Sequence, residues 1–339
     1  MEAQWHSPQN LDKNEAKLLK AFLAEPAVEG TNAQALKADA NSLANIEGLT
    51  IQGGHVTAIE WKDKKLGGTL NLSGFTALQK VDVSRNHLTA MTVAGCKALT
   101  DLNASRNKLT EINLDGCTAL QKVAVYKNRL TEIDLADTPM LENLNVSNNL
   151  FVDFSVANSF NLKTLNCQGC HIENLDVSGC QALKNLYCGY NKLTSITLQG
   201  VTGLQNLNID DNEISNFIIS GLPTLSSVIC SDNNMTSFAV RDCQALLDIV
   251  CSYNDLTSLS VEDCPNVQYV DCSYNDLTQL VLSNQTFLQR LICNNNQLQL
   301  LDVSFDQALT YINCRFNQIT DFRTIGDNNL RMVACQWNP

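Results

Sequence analysis

The sequence predicts an α/β solenoid, a right-handed stack of 21-residue coils whose short strands lie side by side in one parallel sheet. Three observations carry that expectation. An asparagine returns every 21 residues, from Asn86 through Asn107, Asn128 and Asn149, and then from Asn191 to Asn338, with no insertion or deletion. An apolar frame of fixed spacing precedes each one, written the first time as Leu78-x-x-Val81-x-Val83-x-x-Asn86-x-Leu88. The stretch before residue 56 lacks that frame and carries instead the apolar period of a helix.

A chain of 339 residues would ordinarily suggest two or three globular domains, but an internal repeat overrides length as a guide. The frame is the leucine-rich-repeat pattern L-x-x-L-x-L-x-x-N/C-x-L. Side chains alternate along a strand, so Val81 and Val83 point inward and the residue between them outward. A single coil hides its apolar face only against its neighbours. The recurring Asn has a physical reason to be there, because an amide inside a tight corner bonds backbone groups that the corner leaves unpaired; the anchors are expected to form a ladder. Roughly ten residues remain per coil for the return path, too few for a full helix with its turns. Short extended or 3₁₀ segments are expected there, around Met91 to Val93 and Ile112 to Leu114.

These signals divide the chain into a helical N-terminal cap, 1–55, and a solenoid, 56–339. In the solenoid two atypical coils, the strand Val56 to Trp61 and a coil from Leu66 to Leu72 with one extra residue, precede thirteen anchor-bearing coils. Within the cap Leu11, Leu18, Leu19, Phe22 and Leu23 share one helical face, with Asn10 as the expected N-cap and Pro26 ending the run. A solenoid needs such a cover over the open apolar edge of its first coil.

Composition narrows the function. With 44% hydrophobic and 17% charged residues the chain has the make-up of a folded protein. Its formal net charge of -12 opposes phosphate backbones and anionic head groups, so neither nucleic acid nor membrane insertion is expected. No stretch approaches the roughly 18 uninterrupted apolar residues of a membrane helix. The start, Met1-Glu2-Ala3-Gln4-Trp5, has no basic or apolar signal regions. That leaves open a cytoplasmic protein and an exported one given without its signal.

Thirteen of the fourteen cysteines fall into two registers. Cys167, Cys188, Cys230, Cys251, Cys272, Cys293, Cys314 and Cys335 stand three residues before the anchor, where other coils have Val83, Val125, Val146 and Ile209. Cys96, Cys117, Cys180, Cys243 and Cys264 stand ten residues after it. Both sets are expected in the core as small apolar thiols, since stacked parallel side chains do not favour the disulfide torsion. Cys167-Gln168-Gly169-Cys170-His171 matches a haem-attachment pattern, yet in register Cys167 is a ladder residue and Cys170 takes the anchor slot. Sulfurs stacked in a line cannot converge tetrahedrally on zinc. His6, His55, His87 and His171 have no partnered nucleophile, and no phosphate loop, H-E-x-x-H or G-x-S-x-G appears. No cofactor, metal or enzymatic activity is expected.

With its cysteine ladder, the repeat over residues 56–339 resembles that of internalin-type bacterial leucine-rich-repeat proteins, especially the internalin J-like kind. The helical start, the strand ending in Trp61 and the turn Leu66-Gly67-Gly68-Thr69-Leu70 resemble secreted or surface-anchored relatives. The resemblance implies adhesion or host-protein binding, and with it secretion or cell-surface display.

Candidate binding residues follow from register, since solenoids bind through their concave strand face. The line just before each anchor reads Arg85, Arg106, Lys127, Asn148, Gly169, Tyr190, Asp211, Asp232, Tyr253, Tyr274, Asn295, Phe316, Trp337. Its first zone is basic, reinforced by Lys80, Lys122 and Arg129. The middle is acidic, with Asp210 and Asp248, and there Asp211 and Asp232 either repel across solvent or share a weakly held cation. The last zone is aromatic, with Tyr269 and Tyr311 on a parallel line beside Arg290 and Arg315. Exposed aromatics with arginine are the residue types enriched at interface hot spots. A protein partner is therefore expected, through Tyr190, Tyr253, Tyr269, Tyr274, Arg290, Tyr311, Arg315, Phe316 and Trp337 with Arg85, Arg106 and Lys127. A glycan is the alternative, since aromatic platforms with nearby Asp and Asn also suit sugars. The apolar edge around Met332, Val333 and Cys335 is a further expected contact, for the ligand or for a second copy.

Overall fold

The computed structural model describes residues 11–39, 43, 46–282, 285–304, 307–324, 326 and 329–339. It is a leucine-rich-repeat solenoid of parallel strands and little helix, and it divides into two compact units, Met1–Cys170 and His171–Pro339.

The first unit opens with helix α1, Lys13–Ala24. Asp12 caps it, accepting from the Asn14 and Glu15 amides at 2.9 and 3.1 Å; the expected cap, Asn10, lies outside the described residues. A carboxylate at this position also suits the positive end of the helix dipole. Leu19, Phe22 and Leu23 are buried as the helical period requires, whereas Leu11 and Leu18 are only half-buried. Phe22 stacks on Trp61 at 5.7 Å between ring centroids, and the Trp61 indole donates to the Glu47 carbonyl at 3.1 Å. A one-turn helix α2, Asn32–Ala35, carries a capping box of Thr31 and Gln34.

Strand His55–Glu60 pairs on one side with Leu49–Gln52, antiparallel, and on the other with Lys80–Asp82, parallel. The antiparallel strand is an addition to the helical cap expected from the sequence. From Lys80–Asp82 the parallel stack continues through Asp101–Asn103, Lys122–Ala124 and Asn143–Asn145 to Thr164–Asn166. On the return side Gly67–Asn71 pairs with His87–Thr92, with a register shift between Gly68 and Thr69. The shift leaves Thr89 of the longer strand unpaired, so the extra residue at this step lies in His87–Thr92 and not, as the sequence suggested, in the coil from Leu66 to Leu72.

In the second unit a stack of parallel strands runs from Asn185–Tyr187 through Asn206–Asn208, Ser227–Ile229, Asp248–Val250, Tyr269–Asp271, Arg290–Ile292 and Tyr311–Asn313 to Met332–Ala334. Its return side is extended, as in Asn216–Ser220, Ser237–Arg241 and Ser258–Glu262.

The core of each unit is the inward residue set. Val81, Val83, Leu102 and Leu144 are buried. The anchors tie successive coils together. Asn233 donates to the Cys230 carbonyl of its own coil at 3.3 Å and to the Ile209 carbonyl of the preceding coil at 3.0 Å, and it accepts from the Ile214 amide at 3.0 Å. Asn107, Asn128 and Asn149 repeat the arrangement in the first unit. A buried corner that would strand three backbone groups is thereby satisfied.

Candidate binding surface

The row just before the anchors has a conformation that sequence reasoning missed. Arg85, Arg106, Lys127, Asn148, Tyr190, Asp211, Asp232, Tyr253, Tyr274, Asn295, Phe316 and Trp337 all have φ between 50° and 66°. The left-handed region is uncommon for such side chains and persists only where surroundings over-determine it. Two sets of contacts do so here. The turn amides donate to the next coil, as Arg85 does to Ser105 at 2.9 Å and Tyr253 to Ser273 at 3.1 Å. Short carboxylate or amide side chains at the strand end accept from the turn, as Asp82 does from Ser84 and Asp271 from Ser273, both at 3.0 Å. The signal was present in Asn148, Gly169 and Asn295, the residue types that tolerate this conformation.

This corrects the expected placement. The row belongs to the turn that leaves the strand, and it is not on the strand face. Tyr190, Tyr253, Tyr274, Phe316 and Trp337 project from that turn and are exposed, Trp337 by 73%. Tyr269, Arg290 and Tyr311 do begin strands, and these three lie on the outward face of the sheet.

The aromatic zone forms three separate stacks within the second unit. Tyr253 and Tyr274 lie face to face at 4.3 Å and 8°. Phe316 and Trp337 stack at 5.7 Å and 6°. On the strand row the Arg290 guanidinium sits 4.7 Å from the Tyr311 ring centroid and 5.8 Å from that of Tyr269, so three successive coils form a Tyr-Arg-Tyr sandwich. Asn295 separates the two turn stacks. Arg315 is half-buried, and its Nε donates to Gln336 at 2.5 Å.

The acidic zone lies in the same unit. Burial, then Asp232 and Asp211, push the Asp210 carboxyl above the usual aspartate range, and Asp232 is raised by burial and by Asp211. Asp210 in turn raises the Tyr190 hydroxyl. No group of three or more His, Cys, Asp or Glu is placed to hold a metal among the described residues. In the first unit Arg85, Arg106 and Lys127 are exposed on the turn row, and Arg106 lies over the Tyr126 ring at 5.8 Å. Tyr126, one residue before Lys127, was not singled out in the sequence.

The cysteines stand as thiols, buried except for Cys335. Burial pushes Cys188 up to about 12, and burial together with the neighbouring Cys230 and Cys272 raises Cys251 well above its usual range. Cys170 fills the anchor slot as its register predicts, donating through Sγ to the Val146 carbonyl at 3.2 Å. Cys243 differs: a hydrogen bond from the Cys264 thiol lowers it, against the burial that raises it.

These features define a protein class, the leucine-rich-repeat solenoid with a cysteine ladder. No family model matches the sequence, and no curated protein matches it. Among solved structures the chain is similar to YopM from Yersinia enterocolitica, with a TM-score of 0.55 and 23% identity over 77% of this chain and 56% of that one. It is similar to a leucine-rich-repeat protein of Leptospira interrogans at TM-score 0.58 and 18% identity, over 97% and 88%. An internalin of Listeria monocytogenes, InlF, matches at TM-score 0.53 and 20% identity over 98% of both chains. At these identities the likeness is one of fold, and the chain spans just over half the length of the Yersinia protein. No described helix is long and apolar enough to cross a membrane.

Proposed function

We propose that the chain is a non-catalytic binding module that engages a protein partner through the outward strand face and the adjoining turn row. Residues 1–55 serve as the cap of coils that begin at residue 56. The observation that carries the reading is the Tyr269-Arg290-Tyr311 sandwich beside the exposed Tyr253-Tyr274 and Phe316-Trp337 stacks. Rings already stacked in the free protein lose little freedom when a partner covers them, and preorganisation of that kind is what separates a tight interface from a merely large one. The charged rows set register on the partner. Adhesion at a cell surface, after export, is the setting this reading favours.

The experiment is a hydrogen-exchange footprint of the full chain with a partner captured from host or bacterial surface extracts. A protein partner protects the edge of many coils. Protection confined to two or three coils would point instead to a glycan.

A further inference from the structure

The unit Met1–Cys170 carries cations that the chain's own acids leave unneutralised. Arg85, Arg106 and Lys127 occupy the left-handed turn row, and Lys108 and Arg129 stand two residues further along their coils, all exposed. At about 4.8 Å per coil, three coils set these side chains in two short rows. Four lysines of this unit are paired: Lys64 with Glu47 at 3.2 Å, Lys65 with Glu29 at 3.7 Å, Lys80 with Glu60 at 2.7 Å and Lys163 with Glu142 at 2.8 Å. Among the described residues no ion pair engages Arg85, Arg106, Lys108, Lys127 or Arg129. This holds although the chain has 35 acids against 23 lysines and arginines.

The surroundings say what such a patch recognises. Between residues 52 and 139 no large apolar side chain stands exposed, so charge and hydrogen bonding do the recognising. The rows are also short, because Asn148 follows Lys127 and Leu150 follows Arg129 in the next coil. A long polyanion would extend past them over a chain of net charge -12 and be repelled there. An extended peptide presents side chains on one side every ~6.8 Å, so two or three carboxylates on that side cover the roughly 10 Å that three coils span.

We propose that this patch binds an acidic polypeptide segment, a short run of Asp and Glu lying across the three coils. Arg85, Arg106 and Arg129 take carboxylates through paired N–H donors, and Lys108 and Lys127 act as point charges. The proposal rests on the reading of the chain as a protein-binding module and names the partner's chemistry at a surface separate from the aromatic stacks.

The test measures fluorescence anisotropy of a labelled peptide of about ten alternating Asp and Glu residues with the full chain, at low and at physiological salt. The variant Arg85→Asn/Arg106→Asn/Lys127→Asn removes three charges and keeps the backbone, since Asn148 and Asn295 hold the same turn at φ 56°. A second variant, Lys108→Gln/Arg129→Gln, leaves the strained turn untouched. The expected result is salt-sensitive binding that weakens at least tenfold in the triple variant and clearly in the double one, and is unchanged by Tyr274→Ala/Phe316→Ala. The proposal is overturned if the peptide does not bind at low salt or binds both charge variants as tightly as the parent. It is also overturned if heparin or an oligonucleotide of equal charge binds more tightly. Salt-sensitive self-association abolished by the charge variants would make the occupant a second copy and overturn it too. Any of these failures leaves the aromatic double variant free to report on the binding-module reading by itself.

Discussion

The thiol of Cys170 donates to the Val146 carbonyl at 3.2 Å, the same donation across one coil that the Asn149 amide makes to Val125 at 3.0 Å. A thiol thus keeps the bond across the coil that the anchor amide makes. Changing Asn233 to Ala removes its donated bonds to Ile209, Cys230 and Ser231 and the one it accepts from Ile214, leaving buried backbone groups without partners, at a cost of about 3 kcal/mol or more. Asn233→Cys should lose clearly less. Urea denaturation of the two variants checks this, and equal losses would show that the amide's bonding is not what the slot requires.

Cys251 is buried in the ladder, with its thiol held far from ionisation. Replacing it by Ser puts a poorly paired hydroxyl in that place and should cost roughly 1 to 3 kcal/mol, whereas Cys251→Val, the side chain other coils carry there, should cost much less. Large and equal losses in thermal unfolding would assign the sulfur a role beyond packing.

Thiol chemistry gives an independent reading of the same core. Cys335 is exposed and the other thirteen cysteines are buried, so an aromatic disulfide reagent at neutral pH should titrate one thiol rapidly in the native protein and fourteen in denaturant. Rapid reaction of several native thiols would mean that the ladder opens readily.

In the acidic zone Asp232 and Asp210 are both raised, chiefly by burial. A carboxyl raised in the folded state binds its proton more tightly there than in the unfolded chain. Folding is therefore opposed above the raised pKa, and the opposition fades as pH falls towards the ordinary aspartate value. Asp232→Asn should raise the Tm at neutral pH, with the gain vanishing below about pH 4. A gain that persisted in acid would assign the effect to the turn backbone, where Asn is at ease, and not to charge.

Much of this was legible because the repeat fixes register. Once Asn86 and its successors were aligned, the inward residues, the cysteine ladder and the anchor role of Cys170 followed from alternation and spacing alone. The left-handed turn did not follow, because Arg85, Tyr253 and Trp337 have no intrinsic preference for it; hydrogen bonding between successive coils imposes it. Alignment placed Tyr274 and Phe316 on one row but could not reveal that Tyr253 stacks with one and Trp337 with the other, since ring orientation depends on side-chain torsions. The cap was legible as a helical face, whereas strand Leu49–Gln52 pairs with His55–Glu60 across a tight turn whose flanks lack a clean alternating pattern.

The central claim is that the aromatic zone carries binding energy. Tyr274 and Phe316 point outward and are exposed, so Tyr274→Ala/Phe316→Ala should leave the Tm nearly unchanged. Titration calorimetry of the captured partner against the parent and this variant should show a loss of about 2 kcal/mol, roughly thirtyfold in Kd. Equal affinity for both proteins would contradict the account, reducing the stacks to surface decoration.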